Sequence, residues 1–237
     1  MGAKRQSRKL RQNTNVVDLQ VYQKKNQVTI LPRNKNQETY MLKLLDRKKD
    51  IIFGIGPAGT GKTLIAVQVA VKLFKEGKVD KIIVTRPAVS VDEDLGFLPG
   101  TLEQKMAPWT RPIFDVLREY FNAREISGMI DEGIVEIAPL AYMRGRTFKN
   151  AFILADEMQN ATQNQMKMLL TRIGTGSKMV VTGDLAQADR LRDNGLIQFV
   201  EQLEAKEIAR LDIVRFAKGD IERHEAVREV LEIYGDM

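Results

Sequence analysis

The chain has 237 residues, 43% hydrophobic, 29% charged and 6% aromatic, which excludes global disorder and suits one large domain or two small ones. No apolar run approaches the length of a membrane helix (Leu64–Val71 is the best, broken by Gln68), and with no cysteine and only His224 there is no disulfide and no His/Cys zinc centre. The net charge of +6 is a gradient: residues 1–49 hold 13 Lys/Arg against 3 Asp/Glu, net +10, while the other residues hold 24 against 28, net −4. A soluble, cytoplasmic protein with no membrane partner is expected, since no apolar h-region follows the basic N-terminus.

Residues 1–31 read as a basic arm. Lys4, Arg5, Arg8, Lys9 and Arg11 have no acidic residue among them, and the stretch is too polar to bury a core. Such an arm either neutralises phosphates on a nucleic acid or serves as a solvated tail. From residue 32 to 237 a single domain is expected. Short apolar stretches without alternation predict strands at Ile51–Ile55, Lys81–Thr85, Ile134–Ile137, Ala151–Ala155, Lys178–Thr182 and Arg210–Phe216. Helical spacing predicts helices near Thr63–Phe74 (closed by Gly77), Arg111–Phe121, Thr162–Arg172 and Asn194–Glu204. A last helix is expected from Ile221 to Tyr234, with Asp220 as N-cap and Val227, Val230, Leu231 and Tyr234 on a buried face. Strand–helix alternation of this kind predicts an α/β fold: a mostly parallel sheet with helices on both faces, three layers in all.

Between the first strand and the first helix, residues 56–63 fit G-x-x-x-x-G-K-[ST] at every fixed position. The stretch is Gly56, Pro57, Ala58, Gly59, Thr60, Gly61, Lys62 and Thr63. Glycines let main-chain N–H groups turn inward around phosphate oxygens, and the helix N-terminus adds positive potential. Lys62 brings a point charge to the β and γ phosphates, and the Thr63 hydroxyl suits Mg²⁺. This is a P-loop, and a nucleotide with Mg²⁺ is the expected ligand. The strand Ala151–Ala155 ends in Asp156 and Glu157. Asp156 is expected to serve Mg²⁺, and Glu157 to orient or deprotonate an attacking water. After the next strand comes Gly183-Asp184-Leu185-Ala186-Gln187. There Gln187 is the natural residue to touch a γ-phosphate, supported by Thr182 and Asp184.

Further segments accompany these three: Thr85-Arg86-Pro87-Ala88-Val89, Leu95-Gly96-Phe97-Leu98-Pro99-Gly100, Pro108-Trp109-Thr110-Arg111-Pro112, Tyr142–Phe148, Asp156-Glu157-Met158-Gln159-Asn160 and Asp220-Ile221-Glu222-Arg223-His224. In this order they resemble the PhoH-like family of P-loop ATPases, related to the first motor domain of superfamily 1 helicases. The resemblance implies a RecA-like P-loop NTPase fold and a ring-forming homo-oligomer, hexameric in expectation. It implies that Gln37 reads adenine. It also offers Arg144, Arg146, Arg215 and Arg223 as cations for transition-state charge, acting in cis or from a neighbouring subunit. His224 reads as a packing or capping residue.

The function expected is Mg-dependent ATP hydrolysis coupled to remodelling of RNA or another single-stranded nucleic acid. A second reading is a slow ATP-dependent switch that docks a protein partner through Val91–Thr110, where Phe97, Leu98 and Trp109 lie. Those apolar residues equally suit a ring interface or packing. A small-molecule kinase is disfavoured, because Glu157 and Gln187 suit water as acceptor and no arginine-rich lid segment is present.

Overall fold

The computed structural model describes residues 19, 22, 28–87, 102–189, 192–222 and 225–234. The expectations for residues 1–18, for Phe97 and Leu98, and for Arg223 and His224 lie outside them.

Six strands form one sheet: β1 (Ile51–Ile55), β2 (Lys81–Arg86), β3 (Val135–Pro139), β4 (Ala151–Ala155), β5 (Lys178–Gly183) and β6 (Leu211–Arg215). Their order is β3-β2-β4-β5-β1-β6 and every pairing is parallel. All five residues of β1 and all five of β4 are buried, because helices cover both faces and leave no side of the sheet to water. Side chains of Ile52, Val84, Leu154 and Val180 meet α1 (Lys35–Leu45), α2 (Lys62–Lys75), α3 (Leu102–Arg118) and α4 (Ala123–Asp131) on one face. On the other face Phe53, Ile153 and Val181 meet α5 (Gln163–Leu170) and α6 (Gly195–Glu204), with Phe53 stacked on Phe199 at 5.2 Å. The three-layer parallel α/β architecture is therefore as the strand–helix alternation implies.

Helix ends follow local chemistry. Past α2, Gly77 adopts φ +65°; its N–H donates to the Phe74 carbonyl and that of Lys78 to Leu73, a Schellman closure at the expected glycine. Helix α3 begins nine residues ahead of the expected Arg111 and holds Pro108 and Pro112 inside it. Two helices have no counterpart among the expected elements. Helix α1 has Asn34 as N-cap, its side chain accepting from the Gln37 N–H, and buries Tyr40 and Leu44 one turn apart. Helix α4 opens on a reciprocal Asn122–Glu125 capping box and buries Ile126 and Met129.

The last helix corrects two expectations. Helix α7 (Glu225–Tyr234) starts after the expected Ile221. Asp220 does not cap it: the residue closes a 3-10 turn, its carboxylate accepting from the Ala217 N–H and from Asn36 Nδ2. Val227 and Val230 are not buried either. They and Ile233 are 41%, 49% and 82% exposed, because within this chain no described element packs over that face.

Tyr40 is fully buried, edge-on to Phe216, and fills the hollow over Gly54, where an added Cβ would lie 2.8 Å from its hydroxyl. That hydroxyl has no partner among the described residues. Burial, and then the charge of Asp156, lift the phenol above its ordinary pKa. An unpaired buried hydroxyl costs about 1–3 kcal/mol. Tyr40→Phe keeps the ring and should raise the urea-unfolding free energy by about that amount; a loss of stability would mean the hydroxyl has a partner.

Candidate active site

The carboxyl ends of β1, β4 and β5 are neighbours in the sheet, so the three motifs that follow them meet at one edge. The loop after β1 needs left-handed backbone at Gly56 (φ +146°), Gly59 (+81°) and Gly61 (+80°). Two of these are also closed to a side chain: a Cβ on Gly56 would lie 2.3 Å from the Phe216 carbonyl oxygen, and one on Gly61 2.8 Å from Gln37 Nε2. Gly61 is the N-cap of α2 and offers no side-chain cap. The first N–H groups of the helix are thereby left for a ligand. Lys62 Nζ donates to the loop's own Gly56 and Pro57 carbonyls, each at 2.6 Å. Burial lowers the pKa of this ammonium, while Asp184, Glu157 and Asp156 pull it back up. A phosphate in the loop would give this ammonium a directly hydrogen-bonded anion in place of the two carbonyls.

Asp156 is 7% exposed. Its Oδ1 accepts from Thr63 Oγ1 at 2.8 Å and from Thr182 Oγ1 at 2.5 Å. Burial raises the pKa of the carboxyl, and the two hydroxyls and Arg86 oppose the rise. Thr63 and Asp156, expected to share a cation, are thus in contact. Among the described residues no three Asp, Glu or His side chains form a ready-made cage. One carboxylate and one hydroxyl suit Mg²⁺, which keeps most of its shell as water and phosphate oxygens.

Glu157 follows in the left-handed region, φ +55°, a conformation that costs a non-glycine residue about 1–2 kcal/mol. Its Oε2 accepts from Gln159 Nε2 at 2.7 Å. Gln159 is itself buried; its main-chain carbonyl accepts from Asn194 Nδ2 at 2.6 Å and its side-chain Oε1 from the Asp184 N–H. The strained acid is therefore aimed by a braced amide. Asp184 is buried beside the site, whereas Gln187 lies exposed in the 3-10 turn Leu185–Gln187, with its N–H on the Asp184 carbonyl.

The remaining assignments separate clearly. Arg146 makes a bidentate ion pair with Glu136 and lies 4.6 Å from the Phe148 ring, and Arg215 makes a bidentate pair with Glu204. Both are held by carboxylates of their own chain. Arg144 is exposed. Gln37 is 4% exposed, its Oε1 accepting from the Arg33 N–H and its Nε2 donating to the Thr60 carbonyl at 3.1 Å. The Glu222 N–H donates to the Gly59 carbonyl; Asn34 Nδ2 reaches the Asp220 carbonyl and Glu222 Oε1, and Asn36 Nδ2 reaches Asp220 Oδ2. The crest of the loop is thus gripped from two sides. Sequence reasoning assigned no role to Gln159, Arg86, Asn34, Asn36 or Glu222. Gln159, Arg86 and Glu222 lie inside quoted motifs, so a signal existed for them; Asn34 and Asn36 are visible only as a polar stretch before α1.

The "PhoH-like protein" family model matches residues 29–235. A PhoH-like protein of Bacillus subtilis is 47% identical over 190 residues, covering 79% of this chain and 59% of its own length. One from Mycobacterium tuberculosis H37Rv is 47% identical over 208 residues (87% and 58%), and Protein PhoH of Escherichia coli K12 is 45% identical over 209 (86% and 58%). The chain spans less than three-fifths of the length of these relatives. Among solved structures it is similar to a Sulfolobus solfataricus SWI2/SNF2 ATPase core in complex with dsDNA, at TM-score 0.47 and 14% identity, covering 83% of this chain and 48% of that one. It is also similar to Pif1 helicase from Candida albicans, at TM-score 0.42 and 14% identity, covering 88% and 44%. Overlaps this loose carry no argument about function. The matched family model, the identities of 45–47% and the P-loop on its parallel sheet lead to one conclusion: the chain belongs to the PhoH-like protein family.

Proposed function

We propose that the chain binds ATP with Mg²⁺, hydrolyses it, and couples hydrolysis to RNA or another single-stranded nucleic acid as a homo-oligomeric ring. The contact of Thr63 and Asp156 beside the loop that encloses the Lys62 ammonium carries the ATPase reading. Lys62 would exchange the Gly56 and Pro57 carbonyls for phosphate oxygens. Thr63 and Asp156 would hold Mg²⁺, which when bound neutralises charge on the phosphates. Glu157, aimed by Gln159, would align a water and take its proton as the water oxygen bonds to the γ-phosphorus. The bond from that phosphorus to the β–γ bridging oxygen then breaks, and ADP leaves with it.

Gln37 supports ATP over GTP. Its two main-chain bonds leave one N–H and one lone pair on the amide, the combination that adenine's N7 and N6 edge accepts. Gln187 would report the γ-phosphate. The exposed apolar stripe on α7 supports self-association. With Arg146 and Arg215 held in ion pairs, Arg223 or Arg144 would supply the transition-state cation to a neighbouring subunit's site.

Three outcomes are expected. Glu157→Gln should lower steady-state ATP turnover by about 10²–10⁴-fold while nucleotide affinity, read by a fluorescent ATP analogue, stays near wild type; parental turnover would remove Glu157 from the water-orienting role. Gln37→Glu should weaken ATP binding more than GTP binding, by about threefold to tenfold, one hydrogen bond's worth. Equal losses would leave Gln37 as a brace of the loop only. Because burial raises the Asp156 pKa, protons compete with Mg²⁺ at a higher pH than at an ordinary carboxylate. The Mg²⁺ enhancement of ATP affinity should therefore fall on acidification from a point above the usual carboxylate range, and Asp156→Asn should flatten that profile. A profile unchanged by the substitution would place Mg²⁺ elsewhere.

A further inference from the structure

The amino ends of the strands carry a second feature, on the edge of the sheet opposite the phosphate loop. A groove of about 760 Å³ runs there, between the segment entering β1, the turn before β2, the loop before β5 and the start of β6. Arg47, Lys49, Lys78, Lys178 and Arg210 line it, against one carboxylate, Asp50. Its floor is apolar, with Leu45, Ile51, Val79 and Leu211 among the lining residues.

Much of this charge is already matched. Arg210 pairs with Asp50, Lys49 with Asp212 and Lys78 with Glu76. Two cations are not. Arg47 is exposed and forms no ion pair with a described residue, and Lys48 beside it is exposed as well. Lys178 is 9% exposed and its ammonium donates only to main-chain carbonyls, those of Asp46 at 2.8 Å and Lys49 at 2.7 Å. Burial lowers its pKa to about 8 although Asp46 and Asp50 raise it, which is how a desolvated cation without a touching anion behaves. The loop beside it, Gly174-Thr175-Gly176-Ser177, exposes Thr175 and Gly176.

We propose that this groove binds the sugar–phosphate backbone of a single-stranded nucleic acid, with phosphates at Arg47 and Lys178 and a base or ribose on the apolar floor. Inorganic phosphate would use the cations and leave the floor uncovered; a nucleotide unit, with an anionic group beside a largely apolar body, uses both. The site lies across the sheet from the phosphate loop, so nucleic acid here does not compete with ATP. The proposal rests on the nucleic-acid reading above and adds to it a place distinct from the basic arm.

The test uses the full chain and a fluorescein-labelled oligouridine, followed by anisotropy across a salt series. Arg47→Glu should lower affinity about fivefold to tenfold and flatten the slope of log K on log salt by about 0.7. Without RNA it should hydrolyse ATP at the wild-type rate, since Arg47 is remote from the loop. A 4-thiouridine version of the oligomer should crosslink to peptides containing residues 45–49 or 173–178. If wild type binds RNA but Arg47→Glu matches its affinity and slope and the crosslinks map elsewhere, the groove is overturned while the nucleic-acid reading stands. If wild type binds no RNA, both fall.

Discussion

Asp156 is a carboxylate removed from water and kept usable by two hydroxyls, and the rest of the active edge depends on that arrangement. Thr63 belongs to the first turn of α2, Thr182 to β5 and Asp156 to the end of β4. One oxygen atom therefore ties together the loop after β1 and both strands that flank the crossover. The parallel register makes this possible: Ala155 lies opposite Val181 and Gly54 opposite Thr182, which sets the three strand ends level. Burial alone would push the carboxyl toward its neutral form, and the hydroxyls oppose it. In the proposed site a cation would complete the charge balance that the protein leaves open.

The same logic governs the phosphate loop. Its glycines adopt backbone that other residues resist, and beyond the bonds of Thr60 and Lys62 within the loop its crest is held from outside. Rigidity is imported from Gln37 on α1 and from Glu222 near the chain's far end, joined to one another through Asn34, Asn36 and Asp220. The Gly61 position shows the cost of this fit: the amide of Gln37 occupies the space a Cβ would need. Gln159 plays the corresponding part for Glu157, spending buried hydrogen bonds to hold a residue in left-handed backbone. In the proposed hydrolysis an acid fixed in this way would lose little freedom on engaging a water.

Charge is divided between the two edges of the sheet. At the carboxyl edge one lysine faces three carboxylates, Asp156, Glu157 and Asp184; at the amino edge cations outnumber carboxylates around a groove. The net charge of the chain hides this division, because residues 1–49, Arg47 and Lys49 of the groove among them, dominate it.

Much of this was readable from the residues in order. Short apolar runs marked all six strands, because a strand covered on both faces has no need to alternate. Gly56–Thr63 and Asp156-Glu157 declared their chemistry by local spacing, since a turn, a helix start and a strand end are events within a few residues. The reading failed where local signals compete or where partners are distant. Helix α3 starts nine residues before the expected Arg111, and Asp220 resembled a cap while its carboxylate turns to Asn36, 184 residues away in the chain. Arg146 and Arg215 looked equal to Arg144 until Glu136 and Glu204 claimed them. The six strands, the phosphate loop and the acidic pair followed from the sequence alone, all written in neighbouring residues. The tertiary structure decided which side chains brace them, which arginines are held and where the second basic groove forms, because those depend on packing that joins segments far apart along the chain.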